Sequence, residues 1–537
     1  MRRLVTAAGL AFGLAAAAPS MAALPAAVKT EGGLVSGAPS GDGSVTAFKG
    51  IPFAAPPVGD LRWKPPQRAK PWTGVRNAQA YAPVCLNGGR PRPGLTYSED
   101  CLYLNLWTGA KAATDKRAVM VWFHGAGDTA ADPVFDGEAL AHKGVIVVTV
   151  EYRVGALGGL ATRELSKESG HNASSNYGLM DDVAALKWVR TNIAAFGGDP
   201  KNVTLFGQSH GAGTQHFLAM SPLAKGLFGR VILQSHARYP KDPVLHEVAT
   251  DYTMLADAEE RGAKYMEKLG VHSLAELRAL PADKIMGTPN YGSDHVIDGY
   301  FLPHNYAQTY AAGGQANAFV IAGFNRDETG ASPETSWERV AARNAERAKQ
   351  PPPPPGGVPQ PPIGLAGYVA NAKKRYGALA DEYLKLYPAT NDHEAFSANN
   401  DATRDNGRVS LWMWAGAWRQ KATQPVYLYF WTHAPPGANH DFSGAYHGSE
   451  ISYAYNHSRA GEPWTDDDRR IGDLMSSYWA NYAKTGNPNA PGLPSWPAFS
   501  PKAEQVMELG DRFQPIPLAD PAKVSFWKRF YETQPAG

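Results

Sequence analysis

The sequence predicts an α/β protein: a large, mostly parallel central sheet flanked by helices, with helical insertions over one edge. Short continuous apolar runs recur along the chain, a long helical pattern lies between two of them, and polar helical stretches interrupt the series. Continuous runs, rather than strict alternation, suit strands covered on both faces. Alternation of such strands with helices is the pattern of a parallel sheet wound with helices.

The first element is a secretory pattern. Arg2 and Arg3 precede an apolar, Ala-rich stretch from Leu4 to Ala18, and Ser20-Met21-Ala22 supplies a small-residue site. Residues 1–22 therefore read as a signal peptide cleaved near Ala22 or Ala23, which implies a secreted or periplasmic protein. Pro19 interrupts the stretch, which is too short for a stable membrane anchor. The remainder, 23–537, reads as a single domain.

The formal net charge is +2, and loss of Arg2 and Arg3 brings the mature chain to about zero. No long run of Lys and Arg offers the basic face a nucleic-acid partner would require. The two cysteines, Cys85 and Cys101, follow the signal. Export would favour a disulfide between them, contributing about 3 kcal/mol in the chain-entropy model; two buried thiols are the alternative. The pair lacks the neighbouring ligands of a zinc site.

The strand candidates are Ala118–His124, Val145–Tyr152, Val203–Gly207, Val231–Gln234, Phe319–Gly323 and Val426–Trp431. Between them, Tyr177–Phe196 carries Leu179, Val183, Leu186, Val189 and Ile193 at helical spacing, and Gly197-Gly198-Asp199-Pro200 ends it. Residues 241–317 and 331–420 are the insertions, expected over the carboxyl ends of the strands, where pockets form. Within the second, the Pro-rich 351–362 reads as an irregular or polyproline surface loop.

Gly207-Gln208-Ser209-His210-Gly211 matches the G-x-S-x-G nucleophile elbow. The match is weak alone, since 55 of 537 residues are Gly. It gains weight because it follows the strand Val203–Gly207 and precedes a segment, Ala212 to Met220, that can open a helix. A serine hydroxyl needs a base to take its proton and an acid to orient that base. In the α/β-hydrolase fold these follow in the order Ser, acid, His. Glu328 and its neighbour Asp327 stand just after the strand Phe319–Gly323, and His447 stands in a loop after Val426–Trp431, with His440 as its rival. The loop His124-Gly125-Ala126-Gly127 follows an early strand, so the amides of Ala126, Gly127 and His210 are the expected oxyanion donors.

Several ordered segments resemble the type-B carboxylesterase family, which includes carboxylesterases and cholinesterases. They are FKGIPFAAPPVGDLRWKPPQ (48–67), SEDCLYLNLW (98–107), VEYRVGALG (150–158), NYGLMDDVAALKWVRTNIAAFGGDPKNVTLFGQSHGAG (176–213), NRDETG (325–330), YHGSEISY (446–453) and SYWANYAKTGNPNAPGLPSWPAF (477–499). The resemblance implies a bridge between Cys85 and Cys101, Glu328 as the acid in preference to Asp327, and Ser235 as a serine supporting the site from behind. The chain departs from the family at Gln208, where a Glu is usual, at Ala126, where a third glycine is usual, and at His236, where a Gly is usual. The 85–101 loop lacks the Trp on which cholinesterases seat a quaternary ammonium.

The expected activity is two-step hydrolysis of a small-molecule ester through an acyl-enzyme, which calls for neither metal nor organic cofactor. An amidase, carbamate hydrolase or lactonase would use the same groups, and a non-catalytic binding domain would dispense with them. His210, His216 and His236 all fall near the site; they read either as polar packing or as recognition of a substrate bearing carboxylates.

Overall fold

Residues 25–87, 91–243, 252–288, 295–328, 337–347, 349, 364–437 and 440–536 are described by the computed structural model. The signal stretch and the Pro-rich 351–362 lie outside them. Eleven strands form the main sheet. They are β1 (Ala38–Pro39), β2 (Thr46–Pro52), β3 (Tyr103–Thr108), β4 (Arg117–Phe123), β5 (Ile146–Val150), β6 (Gly198–Gln208), β7 (Arg230–Gln234), β8 (Phe319–Asn325), β9 (Val426–Trp431), β10 (Gln505–Leu509) and β11 (Gln514–Pro517). Their order across the sheet is β11-β10-β9-β8-β7-β6-β4-β5-β3-β2-β1. From β10 to β5 every neighbouring pair is parallel, while β1, β2, β3 and β11 pair antiparallel at the margins. This is the α/β-hydrolase architecture expected from the sequence.

Both faces are covered, as the continuous apolar runs require. Along β4, Val119, Val121 and Phe123 enter one core and Met120 and Trp122 enter the other. The first core packs against helices α1 (Tyr177–Asn192), α2 (His210–Met220) and α3 (Asp392–Arg419). The second packs against α4 (Asp466–Thr485), whose start is fixed by a capping box between Thr465 and Asp468. A strand buried on both sides has no polar face to display, so alternation disappears from its sequence. The helix predicted over Tyr177–Phe196 ends at Asn192, tightens to a short 3-10 turn over Ile193–Phe196, and stops at Gly197 with φ 82°.

The insertions are helical where described. The first holds Leu255–Leu269 and Tyr306–Ala312 plus a small parallel pair, Tyr252–Met254 with His295–Ile297; the second contributes α3. Cys85 and Cys101 are bridged, closing the loop before β3. Among the described residues no helix is long and apolar enough to cross a membrane.

Candidate active site

Ser209 sits between the end of β6 and the first residue of α2, with φ 56° and ψ −122°. Side chains other than Gly rarely adopt this conformation, and such strain persists where the surroundings impose it. Here the Ser209 amide donates to Gln234 O at 2.9 Å, and the Gly213 amide donates to Ser209 O at 3.0 Å. The glycines on either side are steric necessities. A Cβ on Gly207 would stand 2.5 Å from Phe123 O, and one on Gly211 would stand 1.9 Å from it. The elbow can turn only because β4 and the elbow backbone approach without side chains between them.

Beyond β8, the Glu328 carboxylate accepts the Asn325 amide at 2.8 Å and pairs with His447 Nδ1. Asp327 does different work. It accepts from the Ala445 amide at 2.8 Å and from Arg404 Nη2 at 2.9 Å, is bonded by Arg326 Nε at 3.0 Å, and bridges to Tyr446. One acid anchors the loop and the next one meets the imidazole that the loop carries. His440 is elsewhere, its Nδ1 lying 3.1 Å from Pro435 O.

Burial works against charge on both partners of the pair. For His447, desolvation pulls the pKa down, but the Glu328 charge and hydrogen bond outweigh it, and the net shift is upward. For Glu328, desolvation raises the pKa, yet His447 and the Asn325 amide hold it below the ordinary glutamate value. Ser235, on a left-handed residue at φ 58°, adds to that lowering, although its hydroxyl falls short of a well-formed hydrogen bond. Behind them, buried Glu450 accepts from Asn325 Nδ2 at 2.6 Å and Gln234 Nε2 at 3.2 Å. Burial, aided by the neighbouring Glu328 charge, pushes its carboxyl up.

With Nδ1–H given to Glu328, the neutral His447 ring keeps its lone pair on Nε2. Gln208 Nε2 lies 3.1 Å from that atom and donates to it. The Ser209 hydroxyl makes no hydrogen bond to a described residue, so His447 Nε2 is engaged by the side chain adjacent to Ser209. The identity of Gln208 is visible in the sequence; this contact is not.

Ala126 and Gly127 are exposed, and their amides donate to no described residue. Arg92 grips their loop, donating Nη2 to Gly127 O at 2.8 Å and Asp128 Oδ1 at 2.8 Å and pairing with Asp132. Buried Glu151 accepts the Ala130 amide at 2.7 Å with one oxygen and the Cys85 amide at 2.9 Å with the other. The disulfide loop and the loop after β4 are thus tied at two points. Neither Arg92 nor Glu151 stands out in the sequence, because charged residues declare a structural bond only once folded.

His210, His216 and His236 are buried and come together with a fourth ring, His295, which no local sequence pattern singles out. As for metals, the described His, Cys and carboxylate ligand atoms converge only at Asp42, Glu138 and His142, away from this site, where Ser40 and Ser44 already occupy Asp42.

A family profile described as the carboxylesterase family matches residues 25–527. A fumonisin B1 esterase of Sphingopyxis macrogoltabida is 33% identical over 507 residues, covering 90% of this chain and 86% of that protein. Carboxylesterase 1E of Mus musculus is 30% identical, covering 90% and 89%. Among solved structures, a carboxylesterase of Geobacillus stearothermophilus superposes with a TM-score of 0.73 at 25% identity, covering 94% of this chain and 100% of its own. The chain belongs to the carboxylesterase family of ester-hydrolysing enzymes.

Proposed function

We propose that the enzyme cleaves carboxylic esters through an acyl-enzyme on Ser209. Ser209 Oγ attacks the ester carbonyl carbon while His447 Nε2 takes the hydroxyl proton. Glu328 steadies the resulting imidazolium. The carbonyl oxygen becomes an oxyanion facing the amides of Ala126, Gly127 and His210. As the tetrahedral adduct collapses, the C–O bond to the alcohol breaks and His447 returns the proton to the leaving oxygen. Water then repeats the sequence, releasing the acid and restoring Ser209.

The observation that carries this reading is the Glu328–His447 pair held against the Gln208-Ser209 elbow. For the base to serve, Nε2 must exchange the Gln208 amide for the Ser209 hydroxyl when substrate arrives. The names of the relatives support the ester bond as the one cleaved. The Cys85–Cys101 bridge supports the secretory reading of residues 1–22, since disulfides persist in oxidising compartments. Turnover of a simple neutral ester by Ser209→Ala decides the matter. A fall of about a thousandfold or more is expected; a variant that keeps near wild-type turnover removes Ser209 from the mechanism.

A further inference from the structure

We infer that the imidazole cluster beside the elbow is a carboxylate subsite, so that the preferred esters carry a second, free carboxylate on the acid part. This deepens the ester-hydrolase reading and rests on it.

The cluster begins at His210, directly after the nucleophile, whose ring stacks on His295 with centroids 4.9 Å apart. His236, directly after Ser235, meets His216 edge to face at 5.2 Å. His295 and His236 are linked through Phe217, at 4.1 Å and 6.3 Å respectively. His210 follows Ser209 directly, and the acyl part is the one that becomes bonded to Ser209, so the carboxylate is assigned to the acyl part.

Two features mark this as more than packing. First, it is unsatisfied. His216 Nε2 takes the Tyr310 hydroxyl, which itself accepts from Trp414 Nε1 at 2.9 Å. A neutral His216 therefore carries its proton on Nδ1, and that buried N–H has no partner. His236 Nε2 lies 3.3 Å from the Tyr306 hydroxyl, while its Nδ1 is also buried without a partner. Buried polar groups are otherwise paired, and exceptions call for a reason.

Second, basic groups gather around it. Burial lowers the pKa of His236, and the neighbouring His216, His295, His210 and Arg238 add to that lowering. Desolvation leads that effect, as it does at His216, whose pKa falls to about 3. On the other flank, His210 and His295 line a narrow cleft with Arg153. Arg153 gives Nε and Nη2 to Asp181, but its Nη1 is buried without a partner. Arg153, His210 and His295 thus face one space; of the acids around it, Asp181 is paired with Arg153, Asp298 accepts from Asn176 Nδ2 at 3.1 Å, and burial pushes the Asp182 carboxyl up. A carboxylate entering it supplies the acceptor that Arg153 Nη1 lacks and a negative charge beside the imidazole cluster. It also favours proton uptake by the rings, so the preference strengthens as pH falls.

The test compares kcat/KM for two substrates of one shape, the para-nitrobenzyl monoester of succinic acid and para-nitrobenzyl isocaproate, which replaces the free carboxylate by an isopropyl end. Protonation of His447 affects both equally and cancels in the ratio. The expected ratio favours the charged ester by at least about tenfold near pH 6 and declines toward pH 8. His236→Gln, which keeps a hydrogen-bonding side chain but cannot take up a proton, and His295→Phe should each cut it about tenfold. Labelling of each variant by a fluorophosphonate confirms an assembled site. A ratio near or below one in the wild type, or one that both labelled variants retain, overturns the subsite. Failure of the enzyme to cleave either ester would instead strike at the ester-hydrolase reading itself.

Discussion

At the residue scale, the site depends on how one imidazole is divided between neighbours. Glu328 holds Nδ1 of His447 and lifts its pKa, so the acid limb of the pH–rate profile should fall above an ordinary histidine's. Gln208 holds Nε2. In Gln208→Glu a carboxylate would replace that amide and stabilise the imidazolium further. Because only the neutral ring accepts a proton, the acid limb should move to higher pH by about one unit. A limb that stays in place or moves down contradicts this role for residue 208. The placement of these residues was legible beforehand: Ser209 and Glu328 follow recognisable strands directly and His447 lies in a loop beyond a third, in the chain order this fold demands. Asp327 and Glu328 could not be separated by residue type, since both are carboxylates at the same strand end. Folding separates them, by pointing Asp327 at Arg404 and the Ala445 amide.

At the scale of elements, the elbow is a backbone-to-backbone contact between β4 and the β6–α2 turn. The two glycines of the motif follow directly from it, and so does a prediction. In Gly211→Ala the added methyl meets Phe123 O, a main-chain atom of a central strand that cannot swing aside. Destabilisation should reach or exceed about 3 kcal/mol, the upper end for overpacking. Thermal melting of the purified variant measures it, and a melting temperature equal to that of the wild type would refute the steric account. The strands were readable because burial on both faces leaves an unbroken apolar run. The loops around the site were less so. Arg92, Glu151 and His295 act through partners tens of residues away, by hydrogen bonds or ring stacking, and such pairings leave no local pattern.

At the scale of the whole molecule, the disulfide loop, the loop after β4 and the end of β5 form one tied unit through Arg92 and Glu151. The bridge between Cys85 and Cys101 closes that unit. Replacing both cysteines by serine should cost about 3 kcal/mol, read as a lower denaturant midpoint. An unchanged midpoint would mean that the surrounding contacts already fix the loop. Two cores, one on each face of the sheet, set the positions of the strand ends from which Ser209, Glu328 and the His447 loop project. The central claim is that these strand ends create one activated serine. Its most direct test is reaction of the folded protein with a fluorophosphonate, followed by mass spectrometric mapping of the adduct. The account predicts a single modification on Ser209 that Ser209→Ala abolishes; folded protein that stays unlabelled, or carries the adduct on another residue, contradicts it.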